Sequence, residues 1–574
     1  MRSLRIVCFL TALLMILVSC HGQGGGGAQE TEPVETDILY DFLNFEIVRA
    51  DQPTAKTMQA VKSLNRTIEA HMGQTLPVKT DFSGDPESAC EILIGSVDRA
   101  EAKTLAATLS EHEYIIQTVK TANGMKLVVL GYDEDTMVTA VSELQKMLQS
   151  GSVVDTAGKL KPLDIKIDLL DLYQSFRIEL GEPSIVAQSD SAVEESGHYQ
   201  FPSIFYLANG NILARWGMHN DKLGEVGATA CAVSSDGGRT WVHSEGNGTR
   251  IFDDAKCLMS NGKYFVSFIG QSAHQVDYMG KYTPLISNAT AKTNIYFAKD
   301  IAEYQVELQG LEYDPATGVT TSFPITLNWP YATVSLTNGN ILTTVEANMM
   351  VGNYVGMIST DSGLYYCTYA RGVNSKTGKS DLYSQYFSVY VFHSADNGRT
   401  WDYLSQVSVT PEVFGEAGVG NFEGFCESSM TQMPDGSVVM LMRSGGTHPS
   451  YLVRSTDGCK TWSTPQRFDD CGVWPQILTL GCGVTVATYG RPRLLVRATG
   501  DASGVVWDEP IEIALSGSEK LDYWDRSCFY TYLLRLSATE ALMVYSDLQY
   551  PNQSGQGYRR TILVRTITVV PTGE

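Results

Sequence analysis

The sequence predicts an all-β radial repeat, a propeller, preceded by a small α/β domain. Three observations predict it. From Gly181 to the C-terminus, short β runs are broken by NG, DG and GG turns and show almost no helical periodicity. Within that region an S-x-D-x-G-x-T-W turn recurs. Ahead of it, strand-like and helix-like runs alternate, the pattern of an α/β unit.

The chain has 574 residues, 43% hydrophobic and 18% charged, enough for two or three buried domains. A formal net charge of −22 argues against nucleic acid as a partner, because a phosphate-binding surface needs a surplus of Lys and Arg. Eleven cysteines include no C-x-x-C pair, so neither a zinc site nor a redox motif is indicated. Cys459 and Cys471 are candidates for a local disulfide or for buried thiols. No metal or cofactor is called for.

Residues 1–20 read as an export signal: Arg2 and Arg5 precede an apolar run through Val18. LVSC at Leu17–Cys20 is similar to a bacterial lipobox, which implies lipidation of Cys20 and a membrane anchor. Residues 21–38 are Gly-rich and then acidic, a flexible tether. The expected location is extracytoplasmic, on a lipid leash at the bacterial membrane or cell surface.

Residues 39–152 form the predicted α/β domain. FEIVRA, CEILIGSVD, EYIIQTV and KLVVLGYD read as strands, Thr54–Met72 and Asp135–Leu148 as helices. Diffusely, and without a catalytic motif, the domain resembles the small domain that precedes the catalytic domain of hexosaminidases and glucuronidases. A spacer or docking role is expected for it. Residues 153–174 read as a connecting segment.

Residues 175–574 carry the repeat. SSDGGRTW at Ser234–Trp241 and SADNGRTW at Ser394–Trp401 fit the turn, STDGCKTW at Ser455–Trp462 fits except at Cys459, and TGDASGVVW at Thr499–Trp507 is a weaker copy. The intervals are about one blade, with a wide gap before Ser394 that has room for two degenerate ones. Asp and Ser satisfy turn amides and Trp fills the space between blades, so the boxes are structural. They resemble those of the sialidase (neuraminidase) superfamily, which implies a six-bladed β-propeller with the boxes on its periphery.

That resemblance implies site residues one at a time. Glu427, in CESS, matches the family's base, and Arg443, on the next strand, its carboxylate-binding arginine. Arg491 in YGRPR matches the last arginine, with Arg493 as alternate. Tyr530 in SCFYTYLLRL matches the nucleophile. In the first repeat Gln200 stands where the first arginine of the triad belongs, a departure that puts sialic acid itself in question. Asp221, with Glu225 and His219 as alternatives, falls in the loop matching the general acid. A Tyr hydroxyl has an unperturbed pKa near 10 and needs a neighbouring carboxylate to take its proton, the role implied for Glu427. Tyrosine nucleophiles are a known exception to two-carboxylate glycosidase chemistry.

The leading expectation is an exo-acting, retaining glycoside hydrolase of the sialidase type acting on a terminal acidic sugar. Gln200 leaves room for a keto-acid sugar, a uronic acid or a neutral sugar such as arabinose. The alternatives are a non-catalytic glycan-binding lipoprotein and a lyase on the same propeller.

Overall fold

The computed structural model describes residues 40–572 except 83–85, 191–196, 219–227, 246–249, 252–257, 274–280, 289–292, 302–305, 336–340, 343–355, 372–385, 418–421, 447 and 516–528. The signal, the lipobox Cys20 and the acid-loop candidates His219, Asp221 and Glu225 lie outside the described residues.

Six strands form the N-terminal sheet, β1 (Glu46–Arg49), β2 (Val78–Thr80), β3 (Cys90–Ile94), β4 (Glu113–Lys120), β5 (Met125–Gly131) and β6 (Asp164–Asp168), in the order β2-β1-β3-β5-β4-β6. The first three and β5 run parallel, while β4 runs antiparallel to both its neighbours, β5 and β6. Thr54 caps α1 (Ala55–Met72) by accepting from the Thr57 amide, and α1 ends at Gly73 with φ +83°, a left-handed position that glycine takes without a Cβ clash. A short α2 (Ala100–Ala106) follows β3. α3 (Glu134–Gln149) starts from a capping box between Asp133 and Thr136. Strand β6 lies in the segment read as connecting chain. Its DIKID alternates charge and apolar residue, an exposed edge strand rather than a buried run.

The remainder is the propeller. Blade 1 comprises His198–Leu207, Ile212–Met218, Thr229–Ser234 and Val242–Ser244. Blade 2 has Tyr264–Ala273, Val306–Asp314 and Val319–Asn328. Blade 3 has Met357–Thr360, Gly363–Arg371, Phe387–Ser394 and Thr400–Val407. Blade 4 has Phe422–Gln432, Val438–Gly445, Ser450–Ser455 and Gln466–Asp469. Blade 5 has Val473–Thr479, Thr485–Gly490, Arg493–Thr499 and Ile511–Leu515. Blade 6 has Thr531–Arg535, Glu540–Pro551 and Tyr558–Pro571, and the ring closes as Phe176–Leu180 and Ser184–Gln188 pair with its last strand. Phe205 of blade 1 packs edge-on against Tyr532 of blade 6, ring centres 5.5 Å apart.

The wide gap between the first two boxes holds one blade without a box, blade 2, and a separate four-stranded sheet from Ile286–Asn288, Thr293–Phe297, Tyr331–Ser335 and Ile341–Leu342. Blade 2 turns through Asp314–Val319, where no Ser and Trp flank the Asp.

Three of the four boxes, those at Ser234, Ser394 and Ser455, share one hydrogen-bond scheme between third and fourth strands. Asp457 Oδ1 accepts from the Lys460 and Thr461 amides and Oδ2 from the Thr461 hydroxyl, while Ser455 Oγ accepts from the Cys459 amide. Trp241 and Trp401 donate to the carbonyls of Gly238 and Gly398. Trp462 donates instead to Ser405 Oγ, which itself bonds the Cys459 carbonyl. Cys459 takes the glycine's left-handed backbone, φ +62°. The seven described cysteines are all buried; Cys459 and Cys471 are free thiols, and burial pushes both up to about 12.

Box carboxylates make the fold acid-sensitive. The Thr461 hydroxyl foremost holds Asp457 at about 2; burial opposes ionisation of Asp501, but the amides of Ser503, Val505 and Val506 hold it at about 2 as well. Folded values below the unfolded one, near 3.9, mean a contribution that is complete above about pH 4 and disappears as pH falls towards 2. Tm is therefore expected to drop across that window, and to drop less steeply in an Asp457→Asn, Asp501→Asn variant followed by calorimetry.

The α/β domain is joined to the propeller through one core: Leu144 of α3 and Leu148 sit in the same apolar cluster as Leu480, Leu533 and Met543. Asp135 is buried at the seam, bonded to Lys56 Nζ (2.6 Å) and Arg535 Nη1 (3.0 Å). Gly210, in the first blade's NG turn at φ +81°, lies so close to α1 that a Cβ there would meet the Ala55 carbonyl at 2.7 Å.

Candidate active site

The innermost strands of blades 4, 5 and 6 run from the entry level of Glu427, Trp474 and Tyr530 to the exit level of Gln432, Thr479 and Arg535. Five residues at about 3.3 Å each separate the two levels by roughly 16 Å. The exit level opens on a cavity of about 180 Å3 shared with Asp133 and Asp135 of the α/β domain. The domain thus closes one end of the axis, and the candidate site lies at the other.

The inner strands of blades 1, 4 and 5 are irregular at the entry level. The register of blade 1 shifts between Arg215 and Gly217, opposite Gln200; that of blade 4 shifts on both sides of Cys426, and that of blade 5 between Val473 and Gln476. Such bulges turn side chains out of the sheet alternation. Tyr199, Phe201, Glu427, Trp474 and Arg491 have φ between +41° and +58°. Left-handed backbone is uncommon for non-glycine residues, and its concentration at one level is the signature of a site held under strain.

The strained positions bring three predicted residues into contact. Arg443 Nη1 donates to Glu427 Oε1 at 2.6 Å, and the Tyr530 hydroxyl donates to the same oxygen at 3.1 Å. Arg443 Nη1 also reaches the Tyr530 oxygen at 3.4 Å. The other carboxylate oxygen of Glu427 accepts from the Trp474 amide at 3.1 Å. All three side chains are buried. Burial opposes the charge on Arg443, yet Glu427, with Tyr530 and Glu423 behind it, holds the guanidinium well above its ordinary pKa. Charge-assisted hydrogen bonds in so dry a setting are stronger than in water.

Aromatic rings fix the tyrosine. Phe201 meets Tyr530 edge-on with centres 4.9 Å apart, and Trp474 packs at 5.2 Å on another side. Arg491 is buried and lies beside the end of Arg443's strand: a Cβ on Gly446 would come within 3.8 Å of its Nη1. Gln200 is 1% exposed, and its carbonyl oxygen accepts from the Gly197 amide at 3.0 Å. Its Nε2 has no hydrogen-bond partner among the described residues. Phe201, the next residue, is the one that faces Tyr530. Arg493 instead lies 3.8 Å from Asp469 and from Glu512, away from this cluster.

Sequence reasoning missed Phe201, Trp474 and Glu423. Glu423 Oε1 lies 3.4 Å from Arg443 Nη2. Its separation from Glu427 was no readable signal, because the register shifts on both sides of Cys426 break the alternation that even spacing would imply. The aromatic pair carried none.

Residues 316–549 match the BNR repeat-like domain family. No curated protein matches in sequence. Among solved structures, a protein of unknown function from Dyadobacter fermentans is similar at TM-score 0.42 and 18% identity, over 68% of this chain and 99% of that one. The Hadza microbial sialidase Hz136 is similar at TM-score 0.36 and 12% identity, over 65% of each chain. The GH93 alpha-L-arabinofuranosidase of Fusarium graminearum, solved with arabinobiose, is similar at TM-score 0.34 and 11% identity, over 67% of this chain and 97% of that one. The segment 316–549, which spans blades 3 to 5 and parts of blades 2 and 6 of the β-propeller, thus matches the BNR repeat-like domain family.

Proposed function

We propose that this protein is a retaining glycoside hydrolase in which Tyr530 is the nucleophile and Glu427 its base. The observation that carries the reading is the shared oxygen: Glu427 Oε1 accepts from both the Tyr530 hydroxyl and Arg443. As the tyrosine oxygen attacks the anomeric carbon, its proton passes to Glu427 and the bond to the leaving sugar breaks. Arg443, within reach of both oxygens, stabilises the phenolate that develops. Water then releases the sugar from Tyr530 by the reverse proton path, and two displacements give retention. The acid that protonates the leaving group is assigned to the loop of Asp221, with Glu225 and His219 as alternatives. Terminal sialic acid or a related acidic sugar is the substrate that the sequence resemblance implies, and Arg491 is then its carboxylate partner.

The test is turnover on a panel of aryl glycosides spanning sialic, uronic and neutral sugars, followed by rapid acid quench. The expected result is release of aryl alcohol and a glycosyl adduct on the Tyr530 peptide by mass spectrometry. A product released with inverted configuration, or no product from the panel or from mucin and plant glycans, overturns the reading and favours a glycan-binding lipoprotein.

A further inference from the structure

We infer that Glu423 is a specificity-determining residue that closes the carboxylate subsite, so that the pocket takes a neutral terminal sugar. The inference rests on the hydrolase site proposed above and sets a neutral sugar in place of the acidic one that the sequence resemblance implies.

A guanidinium receives a carboxylate through two parallel N–H groups, and it must present them unoccupied. Arg443 does not. Its Nη1 is bound to Glu427 Oε1 at 2.6 Å, and its Nη2 faces Glu423 Oε1 at 3.4 Å. The second N–H of Nη1 points to the Tyr530 oxygen at 3.4 Å and Nε is buried without a partner among the described residues, so the second N–H of Nη2 is the one donor left and no parallel pair remains. Arg443 therefore positions the base and does not present a fork to the substrate. Gln200, at the second position where a guanidinium was expected, is a neutral amide turned towards Gly197. Of the three positions where the resemblance implies a guanidinium, Arg491 then remains.

Charge points the same way. Glu423, Glu427, Arg443 and Arg491 sum to zero, and a sugar carboxylate would add a third anion within reach of Glu423. At short range in a partly dry site, like charges disfavour one another strongly. Glu423's side chain is 37% exposed; Oε1 faces Arg443 and Oε2 accepts from the Cys426 thiol at 3.6 Å, and each oxygen keeps a further lone pair for a ligand. A carboxylate in that position accepts from sugar hydroxyls, which a neutral pyranose or furanose supplies and a carboxylate does not. The tyrosine nucleophile fits this setting too, because a third ionised carboxylate beside Glu423 and Glu427 would face the same repulsion.

The probe is 2-deoxy-2,3-didehydro-N-acetylneuraminic acid, a planar sugar with a carboxylate on the anomeric carbon, titrated calorimetrically against wild type and Glu423→Gln. The amide keeps the shape and removes the charge. Expected are binding to the variant at least about tenfold tighter than to wild type, and, in wild type, higher kcat/KM on a neutral aryl glycoside than on the aryl sialoside. Equal or weaker probe binding by a folded variant overturns the inference. So does a wild-type enzyme that prefers the sialoside, a result independent of whether Glu423→Gln folds. If no glycoside turns over while the variant gains the probe, the hydrolase reading fails and the closed subsite stands.

Discussion

Tyr530→Phe is expected to lower kcat on any aryl glycoside by at least about 10^3-fold while leaving Tm within a degree or two of wild type. Phenylalanine keeps the ring between Phe201 and Trp474 and removes one oxygen, so packing survives and the bond-forming atom is lost. The lost hydroxyl leaves Glu427 with two donors, Arg443 and the Trp474 amide, so its charge stays compensated. Glu427→Gln is expected to behave differently. It removes general-base assistance, a factor of about 10^2 to 10^4. It also leaves the buried Arg443 with Glu423 as its one carboxylate partner, so a lower Tm accompanies the slower rate. Steady-state rates and calorimetry on the two variants separate the roles. A Tyr530→Phe enzyme as fast as wild type removes the tyrosine from the chemistry.

The placement of Tyr530 and Glu427 at the entry of inner strands, and of Arg443 at the end of the strand paired with Glu427's, was legible because each stands at one end of an apolar β run. The boxes fix which runs are inner: a box sits between third and fourth strands, so the first strand after it opens the next blade. Blade 2 escaped because its turn lacks the Ser and Trp that make a box visible. Strand β6 escaped because an edge strand has no continuous apolar run. The strained backbone of Phe201, Glu427, Trp474 and Arg491 had no sequence signal at all, since glycine, which marks such positions elsewhere in this chain, is absent there. Strain of that kind is imposed by neighbouring blades, not by local preference. The same reason hides Arg443's occupancy: identity and spacing name a guanidinium, but its partner Glu423 becomes visible only when two strands are paired across a bulge.

Asp135 and Arg535 meet across 400 positions of chain, and Asp135→Ala is expected to cost about 3–5 kcal/mol of unfolding free energy. Burial opposes ionisation of Asp135, but Lys56 and Arg535 outweigh it and hold its pKa below the ordinary aspartate value. Alanine would strand two buried cations facing one another with no anion between them. Arg535 would keep a bond to the Thr479 carbonyl of blade 5, while Lys56 would lose its carboxylate. A depressed folded pKa makes this contribution complete above about pH 4 and lost below it, so the penalty of Asp135→Ala, read from urea unfolding, shrinks as pH falls. Replacing all three by Leu, Met and Met removes the charges together and is expected to recover most of the loss, because well-packed apolar groups avoid the desolvation cost. A single-variant cost under about 1 kcal/mol would place the cohesion of the seam in its apolar contacts instead. Since this cluster closes the end of the axis opposite Tyr530, kcat per folded molecule should not change. A fall in kcat without a fall in stability would instead mean that the α/β domain communicates with the site along the inner strands.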